Sequence, residues 1–247
     1  GLDLLTGGDC ELTYHRPYAE VEDINSLAAA MAYNMSGRGF AFGTFAAGVQ
    51  YFKTGGIWEA GPLGLTGRQF SDYEMTLSLG WGKALGASVV EGEDPAYYLG
   101  AAARIVSSKV YEYQDGGFGL DMGFLWRPLP PVTAALSFAN VISPNVRLRE
   151  VSDTYPAIAT LGAAFEAGEA VTVAVQGNGS ARGEVSGSGG LEVNVAKVLS
   201  LRGGYAYPHK VPAGGIGVRV KGYSFDFAWR PSKDLGDSYI GTMGLMW

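Results

Sequence analysis

Two histidines, His15 and His209, and a single cysteine, Cys10, are the only imidazole and thiol groups in this 247-residue chain. Hydrolysis would need a nucleophile or activated water, a base, and a group that orients the base, all within reach of one another. His15 ends the first strand-like segment and His209 lies in a polar loop, so neither reads as a catalytic base. Two histidines without a cysteine or carboxylate cluster at ligand spacing do not make a zinc site. The glycine-rich "GGFGLDMG" (116–123) has the look of a phosphate loop. It runs inside an alternating strand pattern rather than between a strand and a helix, so the glycines read as structural. Cys10 has no partner for an internal disulfide, and "GGDC" lacks the small residue expected directly before a lipid-modified cysteine; it reads as an incidental thiol. The sequence points to no catalytic residue, no metal and no cofactor, and so to no enzyme.

The charges that do stand out sit inside alternating segments: Glu74, Arg104, Asp121, Glu192, Arg219 and Asp226. In "FSDYEMTLSLGWG", Tyr73, Met75, Leu77, Leu79 and Trp81 are large and apolar, whereas Glu74, Thr76, Ser78 and Gly80 between them are polar or small. "GGFGLDMGFLW" and "YSFDFAWR" repeat the pattern. A period of two is that of a strand with one greasy face. Strand-like segments fall near 11–18, 24–35, 39–53, 69–84, 96–112, 117–127, 131–142, 155–167, 169–179, 186–197, 199–207, 213–221, 223–230 and 237–247. That is about fourteen strands, mostly near or above the 9–11 residues a tilted membrane-crossing strand needs. No helix-period segment competes.

Composition narrows the class. Only 17% of residues are charged, against roughly 25% in ordinary soluble domains, and 38 are glycine. No run approaches the ~20 apolar residues of a spanning helix. A net charge of −6 without a basic stripe excludes nucleic acid as a partner. Connections alternate between long polar stretches ("TGGIWEAGPLGLTGR", "SPNVRLREVSDT", "GSARGEV", "PHKVPA", "RPSKDLGD") and tight ones ("GE", "VL", "KG"), as in barrels with short turns on one side of a membrane and long loops on the other. "LGASVVEGEDPA" breaks that parity. A soluble sandwich or lipocalin-like barrel would put its charge on the outer face and its bulk in a core. Here the face opposite the greasy one carries Gly, Ser, Thr and Ala with scattered charges, which suits a polar lumen where opposite charges pair. The expectation is an all-β, transmembrane antiparallel β-barrel of about 14 strands, with residues 1–10 as an N-terminal lead-in and 11–247 as the barrel.

The chain resembles the PorV/PorQ-type outer-membrane proteins, relatives of the FadL long-chain fatty-acid transporters. The resemblance rests on "ELTYHRPYAEV", "GVQYFKTGGIWE", "GAAARIVSSKVYEYQDGGFGLDMGFLWRP", "LSFANVISPNVRL" with "YPAIATLGAAF", and "YSFDFAWRPSKDLGDSYIGTMGLMW", in that order along nearly the whole chain. It implies a fourteen-stranded FadL-like barrel in the bacterial outer membrane. It also implies an N-terminal hatch with an Asn-Pro-Ala motif; "GLDLLTGGDC" starts about where such a hatch would end and carries no such motif. Gly1, with neither a start methionine nor a signal-peptide pattern, reads as the beginning of a processed or truncated form.

Two functions follow from the resemblance. One is a secretion-associated adaptor or anchor of type IX secretion, with protein partners at extracellular loops around 54–68, 143–154 and 231–237. The alternative is a FadL-like transporter of hydrophobic small molecules. In "SYIGTMGLMW", Tyr239, Met243, Leu245 and Trp247 match the C-terminal signal by which such barrels engage the insertion machinery, which places both termini in the periplasm and the outer wall against membrane lipids.

Overall fold

A computed structural model describes residues 7–21, 23–37, 40–62, 64–85, 97–148, 151–208, 210–232 and 235–247. Fourteen antiparallel strands close into one barrel: β1 (Gly8–Arg16), β2 (Ile24–Gly37), β3 (Phe40–Gly61), β4 (Gly64–Leu85), β5 (Tyr97–Val110), β6 (Tyr113–Leu129), β7 (Val132–Ile142), β10 (Ile158–Ala167), β11 (Val171–Ser180), β12 (Val185–Ala196), β13 (Leu199–Tyr207), β14 (Val211–Val220), β15 (Tyr223–Arg230) and β16 (Ser238–Met246). Two four-residue strands, β8 (Asn145–Leu148) and β9 (Val151–Thr154), form a separate hairpin between β7 and β10. Each barrel strand pairs with its sequence neighbour, and β1 with β16, so no sheet edge is left along the wall. The seam closes with reciprocal bonds at the chain's end: Gly8 N–H to Trp247 O and Trp247 N–H to Gly8 O, both 3.0 Å. A Cβ on Gly8 would come within 2.3 Å of the Trp247 indole, so a side chain there would have to push the ring aside.

The register fixes which face each residue takes. Leu12, Met243 and Phe225 fall in one row across β1, β16 and β15, and continue through Ala29, Val49, Leu77, Ile105 and Phe118. This row is outside: Leu79 is 68% and Leu161 66% exposed, beside dozens of other exposed large apolar residues. Water would penalise such a surface by roughly 25 cal/mol per Å²; hydrocarbon does not. Tyr73 and Trp81 on β4, like Tyr239 and Trp247 on β16, stand eight residues apart, about 26 Å of strand and about 20 Å after the ~40° tilt of such strands. Tyr14, Tyr51, Tyr73, Trp229 and Tyr239 ring one end, and Tyr33, Phe45, Trp81, Tyr97 and Trp126 the other, as amphipathic rings do at a headgroup level. Among the described residues only Tyr98, Val106 and Val146 form a buried apolar core.

The connections differ from expectation in places. The stretch expected as a long loop at 54–68 is instead an extension of β3 and β4. These 22-residue strands continue beyond their last partners on β2 (Ile24 to Thr54) and β5 (Tyr73 to Lys109). "PHKVPA" is not wholly a loop, because its Val211 and Pro212 already pair with Ala206 and Tyr205. The top of β5 and β6 is tight, turning at Tyr111 with φ +57°. Length therefore does not separate the two ends as cleanly as the sequence suggests. The "KG" turn is as read: Lys221 and Gly222 both take positive φ (50° and 86°), the geometry a two-residue hairpin turn needs. Residues 86–96, which hold most of "LGASVVEGEDPA", and His209 lie outside the described residues.

Candidate functional site

The inner wall is built from the alternate row, and its composition varies around the barrel. At the middle of β7 and β10–β14 the inward positions are mostly small: Ala135, Gly162, Ala164, Ala174, Gly190 and Gly204 are six of them. They line a trough of about 550 Å³ whose polar groups include Gln176 and Arg230. Small inward side chains leave room for this trough in the wall.

Four of the six charges singled out from sequence fall into two ion-paired groups on the inward row. In the first, Arg104 Nη2 donates to Asp121 Oδ1 at 2.9 Å. Its Nε lies 2.8 Å from Asp121 Oδ2 without the alignment of a hydrogen bond, so that second contact is an ion pair only. Both side chains are one quarter exposed. In the second, Arg202 bridges two acids, with Nε 2.5 Å from Glu192 Oε2 and Nη1 on Asp226. Arg202 was not singled out from sequence; β13 alternates weakly, and only register sets it opposite Glu192. Arg219 has no side-chain ion pair among the described residues and lines a polar cavity of about 490 Å³ with Arg202 and Asp226. Glu74 accepts a hydrogen bond from the Tyr155 hydroxyl. His15 Nε2 lies 3.1 Å from Ser238 Oγ, a contact that ties β1 to β16 across the seam. No group of three His, Cys, Asp or Glu able to hold a metal occurs among the described residues.

One side of the mouth opposite Trp247 is covered. Three residues of β7, Ala139 to Val141, stand against Asp121 alone on β6, because the ladder skips from Leu120–Ile142 to Met122–Phe138. Asn140 at this bulge takes φ +57° and is buried, and its polar groups are all bonded. Its N–H donates to Asp121 Oδ1 at 2.7 Å, its Nδ2 to Pro156 O at 2.7 Å, and its Oδ1 accepts from Arg104. Asn140 thus joins both ends of the β7–β10 connection to the inner wall. That connection, expected as a surface loop at 143–154, instead turns inward over β6 and β5. Pro144 is fully buried and Val146 is 3% exposed, packed where Gly117 and Gly119 present no side chain. A Cβ on Gly119 would come within 2.8 Å of Pro144 Cγ, and one on Gly117 within 2.8 Å of Asn145 N. The Arg147 N–H donates to Asp115 Oδ2 at 2.5 Å, and that bond holds the Asp115 carboxyl below its usual range.

Trp247, Leu245, Met243 and Tyr239 form the outward row of β16 at the seam, with Gly241 as the one gap. Cys10 is free and stands in the neighbouring outward row beside Met31 and Leu245.

No family model matches the chain, and no curated protein sequence is similar to it. Solved structures share its fold. The Pseudomonas putida toluene transporter TodX superposes with a TM-score of 0.60 at 11% identity, covering 97% of this chain and 88% of its own. The CymD monoaromatic hydrocarbon channel gives 0.61 at 12%, covering 100% and 90%. A FadL homologue from Pseudomonas aeruginosa gives 0.59 at 10%, covering 99% and 90%. At these identities the likeness shows the fold: a FadL-like, fourteen-stranded outer-membrane-type barrel.

Proposed function

We propose that the chain is an outer-membrane channel for hydrophobic small molecules, with the Trp247 end in the periplasm. The observation that carries this reading is the trough of mostly small residues at the middle of β7 and β10–β14, whose lining excludes both ion-paired groups, Arg104–Asp121 on β5 and β6 and Glu192–Arg202–Asp226 on β12, β13 and β15. An uncharged molecule moving along that wall loses little when it leaves water, whereas a cation would lose its hydration at a trough whose one charged lining residue is Arg230. The fold relatives named as hydrocarbon channels and a toluene transporter support the same class of permeant.

The test is uptake of a radiolabelled monoaromatic hydrocarbon by cells with and without the protein in their outer membrane. Expression should speed uptake, and Gly162→Trp should abolish the gain. A Cβ at Gly162 meets only ordinary contacts, so the indole fills the trough without distorting the strand.

The adaptor reading keeps one supporting observation. The β3–β4 hairpin projects past its neighbours and presents Trp58 and Leu65 at 51% and 70% exposure. We infer that any protein partner docks there, since the 143–154 segment is turned inward. Shortening that hairpin should leave hydrocarbon uptake unchanged.

A further inference from the structure

The barrel wall has almost no buried apolar core, yet of the three buried apolar residues among those described, Val106 is on the inward row of β5 and Val146 is in the 143–148 segment that lies against β6 and β5. A loop that merely closed the chain would have no reason to build a core inside the mouth. Besides Arg182 of the β11–β12 turn, which holds Asp153 and Thr154, the strap's attachments to the barrel are to inward positions: Pro144 and Asn145 over Gly119 and Gly117, Arg147 to Asp115, Asn140 to Asp121 and Arg104, and Tyr155 to Glu74. Tyr155 N–H also donates to Pro144 O at 3.2 Å, tying the returning arm to the seated one. These contacts cover the inner face of β4, β5 and β6 and leave the small-residue trough across the lumen uncovered.

We propose that this strap, residues 143–148 with 151–155, is the constriction that sets the size and charge selectivity of the mouth and directs permeants onto the trough. The proposal rests on the reading of the chain as a channel. Seated, the strap shields two acids, occupying Glu74 with the Tyr155 hydroxyl and Asp115 with the Arg147 N–H. Displaced, it leaves both facing the lumen beside the neutral Arg104–Asp121 pair, so the mouth becomes wider and more cation-selective. Selectivity separates a constriction from a structural prop, because a prop that loosens changes stability without changing which ion passes.

The test uses the full chain in planar bilayers, with potassium chloride as the probe. Gly119→Val drives a branched side chain into Pro144, and Val146→Asp puts a charge into the seat. Both should raise conductance severalfold and shift the reversal potential toward cations. Gly123→Val, on the same strand and face but with no strap atoms near its Cβ, should do neither. Tyr155→Phe removes one hydroxyl and should add flicker between two conductance levels. Heat-modifiable migration on gels verifies that each variant is a folded barrel. Folded Val146→Asp and Tyr155→Phe barrels with wild-type conductance, flicker and selectivity would overturn the proposal. A rise in conductance without hydrocarbon uptake would sink the hydrophobic-permeant reading and leave the strap standing; uptake with unchanged conductance would do the reverse.

Discussion

Asp121 and Asp226 both accept a guanidinium, yet they do different work. Asp226 shares Arg202 with Glu192 in a cluster where all three side chains are about a third exposed, so water screens the pairing. We expect Asp226→Ala to cost about 1 kcal/mol or less. Asp121→Ala leaves the buried Asn140 N–H without its acceptor and Arg104 without its counter-charge. An unmet buried donor of this kind costs about 1–3 kcal/mol. Urea unfolding in lipid should order the variants that way; equal midpoints would contradict the role given to Asn140. At Trp247, Trp247→Ala should lower the amount of barrel assembled in the outer membrane more than the stability of barrels already formed. Unchanged surface levels would refute an insertion role. The alternating row that ends in this tryptophan is legible in sequence, and so are the inward charges of strongly alternating strands. Arg202 and Asn140 are not. One depends on which strand lies alongside β13, and the other on a bulge that only the β6–β7 register reveals.

Strands longer than the membrane and loops that turn inward are the two ways the elements depart from the expected pattern. The β3–β4 hairpin is pinned at its base by the tight turn above β5. Tyr111 Oη donates to Glu59 Oε1 at 3.2 Å, Tyr111 N–H donates to Asp72, and the Tyr111 ring meets Phe70 edge-on at 5.2 Å. The hydrogen bond to Glu59, aided by that residue's charge, raises the Tyr111 phenol above its usual range. A raised pKa means the bond is fully present below the ordinary phenol value of about 10 and is lost as pH rises through the higher one. Proteolysis of the hairpin should therefore stay flat from neutral to mildly alkaline pH and quicken only beyond about 10. Tyr111→Phe should cut faster at every pH. A wild-type protein already loosening near neutrality would contradict this anchor. The hairpin reads as a loop in sequence because Gly55, Gly56, Gly61, Gly64 and Gly67 interrupt the alternation; pairing across bulges at Thr54–Ile57 and Trp58–Ala60 keeps it a ladder. The strap escapes a sequence reading for a different reason. "NVRL" and "VSDT" are too short to show a period, and the seat for Pro144 is two glycines on another strand.

For the whole molecule, the apolar face is outside and the small, polar face within, the reverse of a soluble barrel's arrangement. That inversion was legible from composition and period alone, because bulky and small residues alternate in strand after strand. The trough was not, since it is assembled from single small residues contributed by six strands. The proposed function has this inner wall carry hydrophobic molecules across an outer membrane. The measurement that bears on it most directly is the initial rate of radiolabelled monoaromatic hydrocarbon entry into cells expressing the wild-type chain, the Gly162→Trp chain or neither, at equal surface levels. Faster entry with the wild type and a return to the background rate with Gly162→Trp are expected; equal rates in all three would contradict passage along this wall.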